Sequence, residues 1–308
     1  MSKLIFHPGS PKTATSTLQA LLKQKRGMIE ASGIGIILPE DMRGARFMAS
    51  FLTLYRGGSD AHREQDIRDF FEPYLNRFQT VICTEETFCH DFMPSRKFGS
   101  GGIDRAQRTA EILAMAGAEQ TKIVMSIRPQ RDLLTSTYTH FVHRHREERD
   151  FADWLKAEVD LDRLLWNPAM NAFRAEFGRE NVVGVSLAVT KEIGMDGFIG
   201  MMLDALELGH LRLPVSVQQV HNPSPSDRAV DLCRLMNREV INPRKSETIN
   251  THIVDTFPVS EFGKFVAKDL QLNDDLVERY AADHDAVLEV FESEKAPSIF
   301  SPKRWFRQ

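Results

Sequence analysis

Five short apolar runs recur along the chain, and their pattern predicts β-strands. They are KLIFH at 3–7, IGIIL at 34–38, TVICT at 80–84, KIVMSI at 122–127 and NVVGVSL at 181–187. Hydrophobic and polar residues do not alternate strictly within them, which is typical of strands covered on both faces. We therefore expect a sheet that is buried between two layers.

Helical patterns fill the intervals between these strands. One extends from residue 14 to Gly33, one from 103 to Gly117, and one from 132 to 148, directly after the fourth strand. A glycine just past the last periodic residue is a common helix stop. The repeated alternation of strand and helix predicts an α/β fold, with a mostly parallel sheet of about five strands and helices on both faces.

The pattern changes after about residue 215. A turn-rich stretch at 221–227 offers serines and Asp227 as caps for a helix that follows it, and a helical pattern covers 274–294. No internal repeat or low-complexity tract divides the chain. We predict a single domain over 1–308, with an α/β core at 1–215 and a mainly helical C-terminal part of the same domain at 216–308.

The composition is typical of a soluble globular protein: of 308 residues, 42% are hydrophobic and 27% charged, and the formal net charge is −4. This charge does not favour nucleic acid or an anionic membrane as a partner. A run at 140–149, HFVHRHREER, is locally basic, in contrast to the negative net charge of the whole chain. We interpret it as a solvated helix face, with recruitment of an anionic acceptor as the alternative.

The cysteines and the apolar runs bear on the compartment. Cys83, Cys89 and Cys233 are too few, and wrongly spaced, for a disulfide framework or a zinc site. The first residues lack the basic and apolar segments of a signal peptide, and no run reaches the ~18 apolar residues of a membrane helix. We expect a soluble cytoplasmic protein, complete or a piece of something larger, and predict no oligomeric state.

The stretch KLIFHPGSPKTATSTLQALLKQ places one lysine among small and hydroxylated residues, between the first strand and the first helix. Such a loop lies at the carboxyl edge of a parallel sheet, beside the free N–H groups and the positive dipole of the new helix, where a phosphate fits. Lys12 adds a positive charge. The small residues are Gly9, Ser10, Ala14, Thr15 and Ser16, and the hydroxyls are those of Thr13, Thr15, Ser16 and Thr17.

The loop is not a Walker A motif, which requires one glycine six residues before the lysine and another immediately before it. Those positions hold Phe6 and Pro11. The alternative is a capped helix start that binds nothing. Because a cap requires one Ser or Thr, not a lysine and four hydroxyls, we predict a phosphate cradle.

GSPKTATSTLQ resembles the 5′-phosphosulfate-binding loop of sulfotransferases that use 3′-phosphoadenosine 5′-phosphosulfate (PAPS). The family pattern is proline, lysine, any residue, glycine, threonine, then threonine or serine. The chain has Pro11-Lys12-Thr13-Ala14-Thr15-Ser16, so that Ala14 replaces the usual glycine. Alanine is tolerated there if its backbone is helical and is unfavourable if the position requires a positive φ.

A second motif is similar to the 3′-phosphate site of the same family, which has an arginine at a strand end and a serine eight residues later. In SIRPQRDLLTSTY, Arg128 follows the fourth strand and Ser136 lies eight residues on. A guanidinium fork and a hydroxyl on the following helix suit a phosphate. Arg131 is either an alternative anion ligand or a surface charge.

A third similarity follows the third strand. Many carbohydrate-type members of the family have an apolar run and then serine-serine-glutamate, with the glutamate as catalytic base; this chain has Cys-Thr-Glu-Glu at 83–86. Glu85 is the positional match for the base, and Glu86 is the second choice. His7 and His90 are further candidates for the acceptor side.

The resemblance covers roughly residues 3–240 and implies a PAPS-dependent sulfotransferase with a P-loop-NTPase-like three-layer fold. It implies sulfuryl transfer to a hydroxyl or amine, with Glu85 as base, Lys12 stabilising the leaving phosphate, and adenosine 3′,5′-bisphosphate (PAP) as product. A sulfuryl group carries less charge than a phosphoryl group, so no metal is predicted. The acceptor is open, a carbohydrate being one candidate, and the loops 40–58 and 88–102 would form its pocket.

Two other functions stay open. A P-loop-type small-molecule kinase would bind Mg-ATP at the loop, with Thr13 and Glu85 or Glu86 on the magnesium ion. A non-catalytic nucleotide-binding or interaction protein on the same fold is the second alternative, because Ala14 and the Cys-Thr pair before Glu85 both depart from the family pattern.

Overall fold

Five parallel strands form one sheet at the centre of the chain. In the computed structural model, which describes residues 2–10, 12–58, 60–86, 88, 93, 103–213, 224–267 and 274–288, their order is β2-β3-β1-β4-β5. The strands are β1 (Lys3–His7), β2 (Ile34–Ile37), β3 (Thr80–Thr84), β4 (Gln120–Ile127) and β5 (Val182–Ser186). The predicted α/β fold and all five predicted strands are therefore confirmed, and every pairing in the sheet is parallel.

Thirteen α-helices lie in the described residues, and those predicted from the sequence are among them. They are α1 (Thr15–Ala31), α2 (Pro39–Arg43), α3 (Arg46–Tyr55), α4 (Ala61–Arg77), α5 (Ile103–Ala114), α6 (Gln130–Arg144), α7 (Phe151–Glu158), α8 (Asn167–Phe177), α9 (Thr190–Ala205), α10 (Asp227–Glu239), α11 (Pro243–Thr256), α12 (Val259–Phe262) and α13 (Asp274–Leu288). Ser226 caps α10 by accepting a hydrogen bond from the Ala229 N–H, as the serines of that stretch predict.

The sheet is covered on both faces, which explains why its strands lack a polar face. In β1, Leu4 and Phe6 face one hydrophobic layer and Ile5 faces the other. The first layer includes residues of α3–α8, α10, α11 and α13, and the second is formed mainly by α1 and α9. Burial on both sides makes a strand read as a continuous apolar run. Cys83 and Cys233 are free and buried in the first layer, and Cys89 lies outside the described residues.

The C-terminal helix α13 is joined to the core by a buried carboxylate. Asp283 accepts hydrogen bonds from the backbone N–H groups of Trp166 and Asn167, at 2.7 and 2.8 Å, and from the side chain of Gln130 at 3.1 Å. Trp166 and Asn167 begin α8, whose first N–H groups have no partner within the helix. A residue more than a hundred positions away therefore caps α8 and holds it beside the start of α6.

Within the described residues, none of the helices combines the length and the apolar composition that crossing a bilayer requires.

Candidate functional site

The loop between β1 and α1 turns sharply because several of its residues have left-handed backbone angles. Gly9, Lys12 and Ala14 have φ values of 54°, 68° and 62°. A Cβ on Gly9 would meet the Cα of Glu86 at 3.0 Å, so glycine allows the loop to pack against the chain that leaves β3. Ala14 is the N-cap of α1, and its left-handed angles are those that favour glycine. Of the two cases considered for Ala14, the unfavourable one holds.

Two of the loop hydroxyls shape the loop itself. Thr13 Oγ1 donates to the Ser10 carbonyl at 2.6 Å and lies 2.7 Å from Ser126 Oγ on β4. Thr15 Oγ1 also reaches the Ser10 carbonyl, at 3.3 Å. Ser16 is exposed and Thr17 half-buried on the first turn of α1. Ser10 Oγ differs from these hydroxyls, because it is buried without a hydrogen-bond partner in the described part of the chain.

His7 lies beneath the loop and connects three strand ends. Its Nδ1 is 2.9 Å from Thr84 Oγ1 on β3, and its Nε2 is 3.1 Å from Ser126 Oγ on β4. Burial lowers the pKa of His7 to about 4, so the ring is neutral at physiological pH. The side chain is 0% exposed and both ring nitrogens are engaged, so the structure places it below the loop and not at a surface that an acceptor reaches.

The two predicted phosphate anchors touch each other. Arg128 Nη1 donates a hydrogen bond to the Lys12 carbonyl at 2.8 Å. The arginine is held in turn by Trp166, whose Nε1 donates to the Arg128 carbonyl at 2.9 Å. Burial, with the nearby charges of Arg128 and Arg144, lowers the pKa of Lys12 to about 8, while the charge of Glu86 opposes the shift. The structure thus gathers like charges in a partly buried place, which an anion would stabilise.

Ser136 and Arg131 lie on the helix that follows Arg128. Ser136 is 8% exposed, two turns into α6, among the buried hydroxyl residues Thr137 and Thr139. Arg131 is exposed on the same helix. Of the two residues, Ser136 is the buried one.

The two adjacent carboxylates have different surroundings. Glu85 is 0% exposed, and Arg43 binds both of its oxygens, with Nε to Oε2 at 3.1 Å and Nη2 to Oε1 at 2.9 Å. Glu86 is half-buried, and its pKa is raised by burial and then by the charge of Glu85, while Arg43 and Lys12 oppose the rise. Glu86 therefore lies on the Lys12 side of the pair. His90, the other acceptor-side candidate, lies outside the described residues.

The interpretation of 140–149 as a solvated helix face is wrong. Arg146 donates to the carbonyls of Asn237, Val240 and Ile241, which end or follow α10. His140 is half-buried, and its pKa is lowered to about 3 by burial and then by the charge of Lys12. The basic run therefore holds α10 in place and borders the cationic site.

Two residues of the site carried no sequence signal. Arg43 was placed only in a long loop, and its ion pair with Glu85 joins positions 42 residues apart. Lys264 pairs with Ser226 in an isolated antiparallel bridge, and its pKa is lowered by burial and by the charge of Arg128. Lys264 is therefore a third cation near the Arg128 anchor. In the residues described, no group of three or more His, Cys, Asp or Glu side chains could hold a metal ion.

No protein-family model and no curated protein matches the chain. Among solved structures, the chain is similar to sulfotransferases across nearly its full length, at low sequence identity. A sulfotransferase from Alicyclobacillus acidocaldarius matches with a TM-score of 0.43 and 14% identity, covering 94% of each chain.

Two further structures contain PAP. Mouse sulfotransferase SULT7A1 complexed with PAP has a TM-score of 0.40 and 13% identity, covering 95% of this chain and 89% of that one. Retinol dehydratase in complex with androsterone and inactive cofactor PAP has a TM-score of 0.32 and 11% identity, covering 97% and 83%. Similarity at this level assigns no function to the chain.

We expect Ala14→Gly to stabilise the protein. Glycine adopts the left-handed angles of this N-cap without the Cβ penalty, so the free energy of unfolding should rise by roughly 0.5–1 kcal/mol. Ala20→Gly, inside α1, is the matched control and should lower it by about 1 kcal/mol. Urea denaturation measures both; a loss in both variants would contradict the role given to the Ala14 backbone.

We also expect His7 to make stability depend on pH. A histidine with a lowered pKa in the folded state resists protonation there, so stability is lost as pH falls from about 6.5, the unfolded value, through about 4. The full contribution is about 3 kcal/mol. His7→Gln should flatten the fall in the urea midpoint over this range, whereas His252→Gln, at an exposed position on α11, should leave it unchanged. Equal slopes in both variants would refute this.

Proposed function

We propose that the protein is a PAPS-dependent sulfotransferase, which transfers a sulfuryl group to an acceptor hydroxyl or amine. The observation that supports this most directly is the hydrogen bond from Arg128 to the Lys12 carbonyl. It joins the two segments proposed to bind phosphate, which follow the carboxyl ends of neighbouring strands β1 and β4. One nucleotide with phosphates at both its 5′ and 3′ positions would require such a pair of anchors.

The chain offers each phosphate a distinct set of groups. The backbone N–H groups of residues 13–17 and the Lys12 ammonium would hold the 5′-phosphate, at the positive end of α1. Arg128, Ser136 and Lys264 would hold the 3′-phosphate. The buried and unpartnered hydroxyl of Ser10 and the lowered pKa of Lys12 both fit an anion at this place. The bound donor supplies the sulfuryl group and a phosphate as leaving group.

Glu86 is the better-placed base. A general base needs an accessible oxygen and a pKa near the working pH. Both oxygens of Glu85 are held by Arg43 in a buried ion pair, whereas Glu86 is partly accessible and has a raised pKa. Although the family resemblance points to Glu85, these contacts support Glu86 as proton acceptor and Glu85 as the group that positions Arg43. Lys12 stabilises the negative charge that the leaving phosphate gains.

The kinase alternative is less well supported by these contacts. It assigns Thr13 to a magnesium ion, but the Thr13 hydroxyl donates to the Ser10 carbonyl and contacts Ser126 inside the loop. Arg128 and Ser136 also have no role in that reaction. Sulfuryl transfer needs less charge neutralisation than phosphoryl transfer, so we propose that no metal is required.

PAP should bind in the absence of metal, and the affinity should depend on Lys12. Because the pKa of Lys12 is about 8 without an anion and a bound phosphate would raise it, binding should weaken as pH rises above about 8. Isothermal titration calorimetry should show the loss in the wild type and a weak, pH-independent affinity in Lys12→Ala. Arg128→Ala should weaken binding, and Arg131→Ala, the exposed neighbour, should not.

Binding of Mg-ATP without binding of PAP would favour the kinase. Failure of PAP to bind would refute the sulfotransferase proposal.

Glu86→Gln should lower kcat about 100-fold or more, with the affinity for PAP unchanged, because it removes the proton acceptor. Glu85→Gln should lower the thermal stability and reduce kcat less, since it releases Arg43 without removing the base. Transfer of ³⁵S from labelled PAPS to pooled acceptors measures kcat, and Lys12→Ala is the blank. If Glu86→Gln keeps full activity while Glu85→Gln loses it, the roles are reversed.

A further inference from the structure

An apolar cavity of about 220 Å³ lies beside the carboxylate pair. Most of its wall is aromatic and aliphatic, and the rings of Phe51 and Phe88 stack with centroids 4.0 Å apart. The side chains of Met48, Phe51, Leu52, Tyr55 and Phe88 form this wall. Four of these five belong to one helix, α3, so a single face of that helix sets the character of the cavity.

The position of the cavity relates it to the proposed reaction. Arg43 lines it and also binds Glu85, so one guanidinium group joins the cavity wall to the carboxylate pair. In the sheet, β3 lies on one side of β1 and β4 on the other. The anchors Lys12 and Arg128 follow β1 and β4, while the carboxylates and Phe88 follow β3. A donor on the first pair and an acceptor in the cavity would therefore approach Glu86 from opposite sides.

The wall favours a flat apolar ring over a sugar. Its two guanidinium groups have partners within the protein, since Arg43 binds Glu85 and Arg105 Nε donates to Tyr55 Oη at 3.1 Å. A sugar ring would bury several hydroxyls against aromatic and aliphatic side chains, at a cost of roughly 1–3 kcal/mol for each one left unpaired. An aromatic ring would instead bury apolar surface against this wall and make edge contacts with its rings, because Phe51 and Phe88 are stacked on each other and on Tyr55 and Phe6.

The volume limits the size of the occupant. An apolar cavity of about 150 Å³ is known to hold benzene, so 220 Å³ accommodates about one to two fused rings. A disaccharide or a four-ring skeleton exceeds this space.

Resting on the proposed function, we propose that this cavity binds the ring of an uncharged aromatic alcohol of one or two rings, and that the acceptor hydroxyl faces Glu86. In the transfer, the acceptor oxygen forms a bond to sulfur while the bond from sulfur to the bridging oxygen of the donor breaks. That electron pair leaves with PAP, and the acceptor proton passes to Glu86. The carbohydrate acceptor considered from the sequence does not fit this cavity.

The experiment compares 2-naphthol with methyl glucoside, two neutral acceptors, on the full chain. With PAP bound, calorimetry should detect binding of 2-naphthol and no binding of the glucoside. The rate of ³⁵S transfer should likewise be higher with 2-naphthol than with the glucoside. Leu52→Trp narrows the cavity and should lower kcat/KM for 2-naphthol by at least about tenfold, with PAP affinity unchanged. Leu235→Trp, at an exposed position on α10, is the matched control and should change neither.

Met48→Ala widens the cavity and provides a test in the opposite direction. It should improve the use of a three-ring phenol relative to 2-naphthol, so the proposal stays testable even if the tryptophan variant does not fold. Absence of 2-naphthol binding to the PAP complex, or equal use of the glucoside, overturns the cavity assignment alone. Absence of PAP binding overturns the proposed function itself.

Discussion

The hydrogen bond from Arg128 to the Lys12 carbonyl is the contact on which the site depends, because it joins the end of β4 to the loop after β1. Two further carbonyls of this loop also accept hydrogen bonds from the protein. The Ser10 carbonyl is bound by the hydroxyls of Thr13 and Thr15, and the Ala14 carbonyl by the N–H groups of Thr17 and Leu18. With these three carbonyls engaged, the loop has N–H groups and the Lys12 charge to offer an anion, and such groups bind phosphate.

This arrangement keeps unfavourable backbone angles in place. Lys12 and Ala14 are both left-handed, at a cost of about 1–3 kcal/mol each, and such angles persist only where the surrounding structure over-determines them. Here the constraint comes from the strand ends under the loop: His7 binds both Thr84 and Ser126, and Ser126 in turn contacts the Thr13 hydroxyl between Lys12 and Ala14. A neutral and fully buried histidine is suited to this role because it accepts at one ring nitrogen and donates at the other without carrying a charge. The strain lies where the anion is proposed to bind.

The sequence sufficed for the elements whose signals are local. The strands could be predicted because burial on both faces produces continuous apolar runs, and the loop because small residues, hydroxyls and a lysine stand between a strand and a helix. The contacts that distinguish Glu85 from Glu86 could not be predicted, since Arg43 reaches Glu85 across 42 positions. Asp283 and Lys264 were missed for the same reason. The basic run at 140–149 was wrongly predicted to be a solvated helix face, because its composition resembles that of an exposed helix. In the structure, Arg146 donates hydrogen bonds to carbonyls at the end of α10.

The two adjacent glutamates show how a pair of identical side chains acquires different chemistry. Arg43 binds both oxygens of Glu85 and fixes its orientation, and the charge of Glu85 lies beside Glu86. Burial and then that charge raise the pKa of Glu86, while Arg43 and Lys12 oppose the rise. Different surroundings are how proteins give two carboxyl groups different acid–base roles. The ion pair therefore serves the site twice: Arg43 forms part of the wall of the apolar cavity, and the charge of Glu85 adds to the effect of burial in raising the pKa of Glu86.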